Sequence, residues 1–205
     1  MCGIVEYLGE RIARDALIDG LRRLEYRGYD SAGAAFHDGN AFSVARETGR
    51  VENLASALRE SEPQSTLGIA HTRWATHGAV TVANTHPHLS QDGKIALVHN
   101  GVIENFADLK RFLMGKGVEF SSETDSEVLC NLIAYYYREQ EGEEKRLLEA
   151  LRKALARCRG AYGIAMLCAD QPGIMLGARR GSPLVVGLGE NETFLASDAS
   201  AFVGR

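Results

Sequence analysis

The order in which hydrophobic periodicities follow one another restricts this chain's fold more than any other feature. A strand-like run, Ile4, Val5, Tyr7 and Leu8, is stopped by Gly9. Helical spacing follows from about Arg11, with Ile12, Ala16, Leu17, Leu21 and Leu24 on one face and a stop near Gly28. Two strand-like runs, Ser31–Asp38 and Ala41–Glu47, flank Asp38-Gly39-Asn40 and predict a β-hairpin. Val51, Leu54 and Leu58 place a helix over Val51–Arg59, and Thr66–Thr72 is a strand. Arg73–Lys94 is polar and aperiodic, after which Ile95–His99 forms a strand running into Asn100-Gly101.

Three helical patterns occupy the next segment. Phe106, Leu109, Phe112 and Leu113 mark the first. Val128, Leu129, Leu132, Ile133 and Tyr136 mark the second, behind a Thr124-x-x-Glu127 capping box, and Leu147, Leu148, Leu151 and Leu155 the third. Four strand-like runs close the chain: Ala161–Ala169, Ile174–Arg179, Leu184–Leu188 and Thr193–Ala196. Helices in succession and strands in hairpins, without strict alternation, predict an α+β fold with largely antiparallel sheets. With 205 residues and no repeat or linker, one domain spanning 1–205 is expected.

Charge and cysteine usage narrow the function classes. Lys and Arg number 23 against 27 Asp and Glu, so no general basic field points to nucleic acid or to an anionic membrane surface. The apolar runs are too short to span a bilayer, and no basic region with an apolar core marks a secretory signal. Four cysteines without regular spacing indicate a reducing, cytoplasmic compartment rather than a disulfide framework.

Chemistry-bearing residues cluster in a few places. Cys2 would become the first residue once Met1 is removed, and an α-amine with pKa about 7.7–8.0 is a usable base for its thiol. The competing reading of Cys2 is a small buried thiol in a first strand. Five of six histidines (His71, His77, His86, His88, His99) and the single tryptophan, Trp74, fall within Thr66–Gly101. A zinc site on His86-Pro87-His88 is disfavoured because no cysteine lies nearby and no helix pairs two ligands at i, i+4. A polar active-site loop fits better: Arg73 suits bidentate binding of a carboxylate, and Trp74 can close over a substrate. Asn100-Gly101 taken alone predicts a tight turn; the functional alternative is a side-chain amide and a backbone N–H that build an oxyanion hole. Asp125, in a helix's first turn, either complements the dipole or binds an ammonium group. Arg27-Gly28-Tyr29-Asp30 is more elaborate than a turn requires.

Taken in order, CGIV at residues 2–5, LRRLEYRGYDSAG at 21–33, HTRWATHG at 71–78, HPH at 86–88, VHNGVIEN at 98–105, SETDSEV at 122–128, RGAYG at 159–163, GSPLVVGLG at 181–189 and SD at 197–198 resemble a known family. It is the class II glutamine amidotransferases of the N-terminal-nucleophile hydrolase superfamily, and within it the glutaminase domain of glucosamine-6-phosphate synthases. The resemblance implies a four-layer αββα sandwich. It also implies hydrolysis of the glutamine side-chain amide to glutamate and ammonia through a thioester on Cys2, with the Cys2 α-amine as base. Asn100 and the Gly101 N–H would form the oxyanion hole. Arg73 would bind the substrate α-carboxylate and Asp125 its α-ammonium. Trp74, Ala75, Thr76, His77 and Gly78 would form the loop over glutamine, while Arg27 and Gly28 would position the nucleophile.

The same resemblance implies no metal and no cofactor. It implies a sugar-isomerase partner domain acting on fructose 6-phosphate, a homodimer at full length, His86 near the boundary between domains, and a domain running slightly beyond Arg205. Alternatives are a catalytically degenerate glutamine-binding or regulatory domain, or the glutaminase domain of another class II amidotransferase. Glu6 departs from the family's usual small residue, and a carboxylate there is expected to perturb packing or raise nearby pKa values. Cys130, Cys158 and Cys168 read as core residues.

Overall fold

In the computed structural model, residues 2–39, 41–61, 63–74, 79–140 and 146–203 are described. Ten strands and five α-helices follow in the order β1 (Gly3–Leu8), α1 (Ala13–Leu24), β2 (Ser31–Asp38), β3 (Ala41–Thr48), α2 (Val51–Ser61), β4 (Leu67–Arg73), β5 (His88–Leu89), β6 (Ile95–Ile103), α3 (Phe106–Met114), α4 (Asp125–Glu139), α5 (Arg146–Arg157), β7 (Gly160–Cys168), β8 (Leu176–Arg180), β9 (Val185–Gly189) and β10 (Glu192–Ala196). They build a six-stranded sheet, β3-β2-β4-β1-β10-β9, and a four-stranded sheet, β5-β6-β7-β8. Every ladder between named strands is antiparallel.

Side-chain alternation sorts the strands into layers. On β1, Val5 and Tyr7 join the cluster with Leu17, Leu21 and Leu24 of α1 and Leu54 and Leu58 of α2. Ile4 points the other way, into an apolar layer shared with Ala35 and Ile69 of its own sheet and Ala96, Val98, Ala165 and Leu167 of the second. The reverse face of that second sheet carries Ile95, Leu97, Ile164 and Met166 against Leu129, Leu132 and Ile133 of α4 and Leu147 and Leu151 of α5. The layers are therefore helices, sheet, sheet, helices, the expected αββα sandwich. Burial of each large side chain stabilises it by about 1.5–3 kcal/mol, so three separate cores hold the two sheets in register.

Local signals account for most element ends. Helix α1 gives way to a 3₁₀ turn, Glu25–Arg27, closed by the Gly28 N–H bonded to the Glu25 carbonyl at 3.1 Å. The N-terminus of α4 is capped by Thr124 Oγ1, which accepts from the Glu127 N–H at 3.2 Å. The other half of the expected capping box differs. The Glu127 carboxylate turns to Ser121 and Ser122, accepting their backbone N–H groups at 2.8 and 2.7 Å and ordering the loop before the helix. Asn40, in the β2–β3 connection, lies outside the described residues.

Asn100-Gly101 is where turn propensity fails. Strand β6 continues through both residues to Ile103, pairing Asn100 with Gly163 and Gly101 with Tyr162 of β7. The cost of continuing is met by Gly101, whose φ is +126° and whose missing Cβ would stand 2.1 Å from the Ala161 carbonyl oxygen. Cross-strand pairing along nine residues of β7 outweighs the local preference for a turn.

Candidate active site

The site lies at one end of the layer between the sheets, and side-chain parity brings it together. His71 and Arg73 of β4 fall on the same face as Ile69, and Asn100 of β6 on the same face as Ala96 and Val98. Cys2, immediately before β1, continues the face that carries Ile4. A cavity of about 260 Å³ opens there, lined among others by Cys2, Arg73, Trp74, Asn100, Gly101 and Asp125. Arg27, His86, His99, Thr124, Ser126 and the Ser182-Pro183 turn complete the wall.

The segment carrying Cys2 is held from three sides. The Gly3 N–H donates to Thr72 Oγ1 at 3.1 Å, and the Ile4 N–H to Ser197 Oγ at 3.0 Å. Asn100 Nδ2 donates to the Cys2 carbonyl at 2.9 Å, tying the six-stranded sheet to the four-stranded one at the site. The sulfur itself receives the Trp74 N–H at 3.1 Å. Burial pushes the Cys2 thiol pKa up, with the Trp74 N–H pulling the other way, so at rest the group is a thiol awaiting a base.

Gly28 explains part of the Arg-Gly-Tyr-Asp stretch. A Cβ at this position would come within 2.7 Å of the Arg73 carbonyl carbon and 2.9 Å of the Trp74 nitrogen. Only glycine lets the two backbones approach this closely beside Cys2. Arg27 is nearly buried and ion-paired through Nη1 to Asp198 Oδ2 at 3.0 Å, so it braces the wall from the C-terminal side. Asp30 fastens the same stretch through its N–H to the Arg73 carbonyl at 3.2 Å.

Two groups of opposite charge line the same cavity. Arg73, the last residue of β4, is buried and donates from Nη1 to the Ala79 carbonyl at 3.2 Å. Asp125, the first residue of α4, has its Oδ2 fixed by the Ile103 N–H at 2.7 Å, so its position depends on where β6 ends. Trp74 is half-exposed and meets Tyr29 edge-to-face with ring centroids 5.4 Å apart. Ala75, Thr76, His77 and Gly78, expected to cover the substrate, lie outside the described residues.

Sequence reasoning missed several contributors. His86, expected near a domain boundary, is buried against the cavity, its ring 4.2 Å from that of His71 and 4.7 Å from that of His88. Among the described residues no group of three or more His, Cys, Asp or Glu is arranged to hold a metal ion. Thr72 was visible only within HTRWATHG and Ser197-Asp198 only as a two-residue match, and their role depends on strand pairing that no local pattern encodes. Glu6 is fully buried between the sheets, opposite Leu195 and Ile69, and both carboxylate oxygens are without a hydrogen-bond partner. Burial pushes its pKa well above the usual carboxylate range.

A thiol, the Asn100-Gly101 pair and an Arg/Asp pair thus line one small cavity. Comparison with known proteins gives the family. The family described as glutamine amidotransferase domain matches residues 71–204, and the chain belongs to it. Its fold is that of the N-terminal-nucleophile hydrolases, shared with the glutamine phosphoribosylpyrophosphate amidotransferase from B. subtilis. That structure has a TM-score of 0.81 and 27% identity, over 98% of this chain and 43% of that one. The particular relatives are glutamine–fructose-6-phosphate aminotransferases (isomerizing). The protein of that name from Thermus thermophilus is 53% identical over 99% of this chain and 32% of its own length. The one from Caldanaerobacter subterraneus subsp. tengcongensis is 49% identical over 99% of this chain and 32% of its own length. The chain thus spans about a third of the curated relatives it matches.

Proposed function

We propose that the chain is the glutaminase portion of a glutamine–fructose-6-phosphate aminotransferase, releasing ammonia for conversion of fructose 6-phosphate to glucosamine 6-phosphate in hexosamine synthesis. The observation that carries this reading is Asn100. Its side-chain nitrogen is bonded to the carbonyl of the residue that bears the thiol, so nucleophile and amide donor are held at one point. Identity near 50% to relatives of that name, against 27% to the phosphoribosylpyrophosphate enzyme, favours this member of the class.

In the proposed reaction Met1 is first removed, freeing the Cys2 amine. Arg73 binds the glutamine α-carboxylate and Asp125 the α-ammonium, leaving the side-chain amide over Cys2. The amine takes the thiol proton as sulfur attacks the amide carbon, and Asn100 Nδ2–H and Gly101 N–H stabilise the oxyanion. The protonated amine gives its proton to the leaving nitrogen, ammonia departs, and water hydrolyses the thioester to glutamate. Trp74, with Thr76 and His77, covers the substrate, while Arg27 and Gly28 keep the nucleophile in place. The ammonia acceptor would be a sugar-isomerase domain, in a cytoplasmic homodimer at full length.

The test is glutamate and ammonia release from L-glutamine, with mass spectrometry of the N-terminus. Activity is expected from protein lacking Met1, abolished in Cys2→Ala and blocked by a thiol-directed glutamine analogue. Full turnover in Cys2→Ala would refute the assignment.

A further inference from the structure

The direction of the Asn100 amide is set by a chain of hydrogen bonds that reaches into the sheet behind it. The Cys2 carbonyl can only accept, so the Asn100 atom 2.9 Å from it is the NH₂ nitrogen. Asn100 Oδ1 therefore accepts, and its partner at 2.9 Å, His71 Nε2, carries a proton. A neutral His71 protonated on Nε2 has a bare Nδ1. That atom lies 3.1 Å from His86 Nδ1, which must be the donor. His86 Nε2 is then a bare lone pair, and it is buried without a partner. Each assignment follows from the one before, starting at a carbonyl whose role is not in question.

With both rings neutral, no other arrangement of protons satisfies these contacts. A flipped amide would set Asn100 Oδ1 against the Cys2 carbonyl. Protonating both histidines would oppose two N–H groups across the 3.1 Å contact, and a single added proton, on His71 or on the partnerless His86 Nε2, would be a buried unpaired charge. Both rings are buried, which pushes His71 down to about 3 and His86 well below the usual histidine range. The packing also depends on Gly33, which pairs with His71 across β2 and β4. A Cβ at Gly33 would stand 2.2 Å from the His86 carbonyl oxygen, so glycine alone lets the His86 backbone lie on the sheet next to His71.

We propose that His71 and His86 are positioning residues: a neutral pair, protonated on Nε2 and Nδ1 respectively, that locks the Asn100 amide with its nitrogen toward Cys2. The second Asn100 N–H is thereby kept for the cavity. This rests on the reading of Asn100 as an oxyanion donor. A mis-set amide leaves glutamine binding through Arg73 and Asp125 intact and weakens only what forms in the transition state.

Glutaminase kinetics and nitrogen-15 NMR of the histidine rings test the proposal together. In His71→Leu, kcat is expected to fall about 10–100-fold while KM for glutamine stays within about threefold. In His71→Gln the terminal amide puts an N–H where Nε2–H was, and kcat should return to within about fivefold of wild type. His86→Leu and His86→Asn should repeat the pattern, since the asparagine amide replaces the Nδ1–H. The spectra should show His71 as the Nε2–H form and His86 as the Nδ1–H form, neither titrating between pH 6.5 and 8, where the protein stays folded. The opposite tautomers, titration in that window, unchanged kcat in His71→Leu, or a Gln variant no better than Leu would each overturn the inference. Loss of glutaminase dependence on Cys2 would overturn the parent reading instead, and the spectra would still report the proton chain in wild-type protein.

Discussion

The backbone N–H of Trp74 points at the Cys2 sulfur from 3.1 Å, and Gly28 is what lets it do so. The peptide between Arg73 and Trp74 lies against the Gly28 Cα, where a methyl group would meet three backbone atoms at under 3.0 Å. Gly28→Ala should therefore move a donor aimed at the Cys2 sulfur. The expected result is at least a tenfold loss in kcat/KM with a destabilisation of about 1–3 kcal/mol. Ammonia release and thermal melting measure the two effects, and activity within twofold of wild type would contradict this role.

Gly101→Ala strikes a proposed oxyanion donor. The residue would have to adopt φ +126° and would still drive its Cβ into the Ala161 carbonyl. Loss of one oxyanion donor costs about 10²–10³ in kcat. A fall of that size is expected, with the thiol still reacting with iodoacetamide at a comparable rate. If alkylation slows as much as turnover, the residue acts on the nucleophile and not on the oxyanion.

Asp125→Asn keeps an acceptor for the Ile103 N–H but removes the charge. Affinity for the substrate ammonium should suffer more than chemistry, so KM for glutamine is expected to rise tenfold or more while kcat falls less. A change confined to kcat would argue against the assignment of Asp125 to substrate binding.

Glu6 offers a stabilising substitution. Its folded-state pKa lies above the unfolded value of about 4.3, so its penalty is small below that value and grows as pH rises toward the folded pKa. Glu6→Leu, similar in volume and facing Ile69 and Leu195, should stabilise the fold by about 1–3 kcal/mol at pH 7. The gain should be larger at pH 8 than at pH 5 in denaturant titrations. A destabilised Glu6→Leu at pH 8 would show that the carboxyl has a favourable partner.

The buried histidines act in the opposite sense. His71 and His88 are held at about 3, against about 6.5 unfolded, so between these values the unfolded chain binds more protons. Stability is then full above about pH 6.5 and falls as pH drops, at up to about 3 kcal/mol per pH unit for the pair. Acid unfolding is expected with a midpoint between pH 4 and 6, best measured by circular dichroism in the Glu6→Leu background. Stability unchanged from pH 7 to 4.5 would exclude neutral buried rings.

Much of the architecture was legible because its signals are local. The periodicities of Ile12–Leu24 and Val128–Tyr136 and the turns around Gly39 and Gly173 depend only on neighbours, and the strand and helix order follows from them. Cys2 and Asp125 read equally well alone as a buried thiol and a helix-dipole residue, and Arg73 as part of a polar loop; only the family resemblance joined them into one site. The histidine pair was not legible in the same way. His71 and His86 are fifteen residues apart, and what they do follows from strand alternation, a glycine on a third strand and a carbonyl near the chain start. The continuation of β6 through Asn100-Gly101 was hidden for a related reason, since β7 supplies the pairing from some sixty residues further on.

The place of β1 in its sheet has a consequence for synthesis. It is an interior strand, paired on one side with β4 and on the other with β10, so that Val5 meets Ala196. At about 5–20 residues per second, the chain's first strand waits some 10–40 s on the ribosome for its second partner. Throughout that interval the segment bearing the thiol has no finished sheet around it. The Ile4 N–H meets Ser197 Oγ only after β10 has paired, so in the proposed mechanism the amine can be freed before the pocket that will use it is complete.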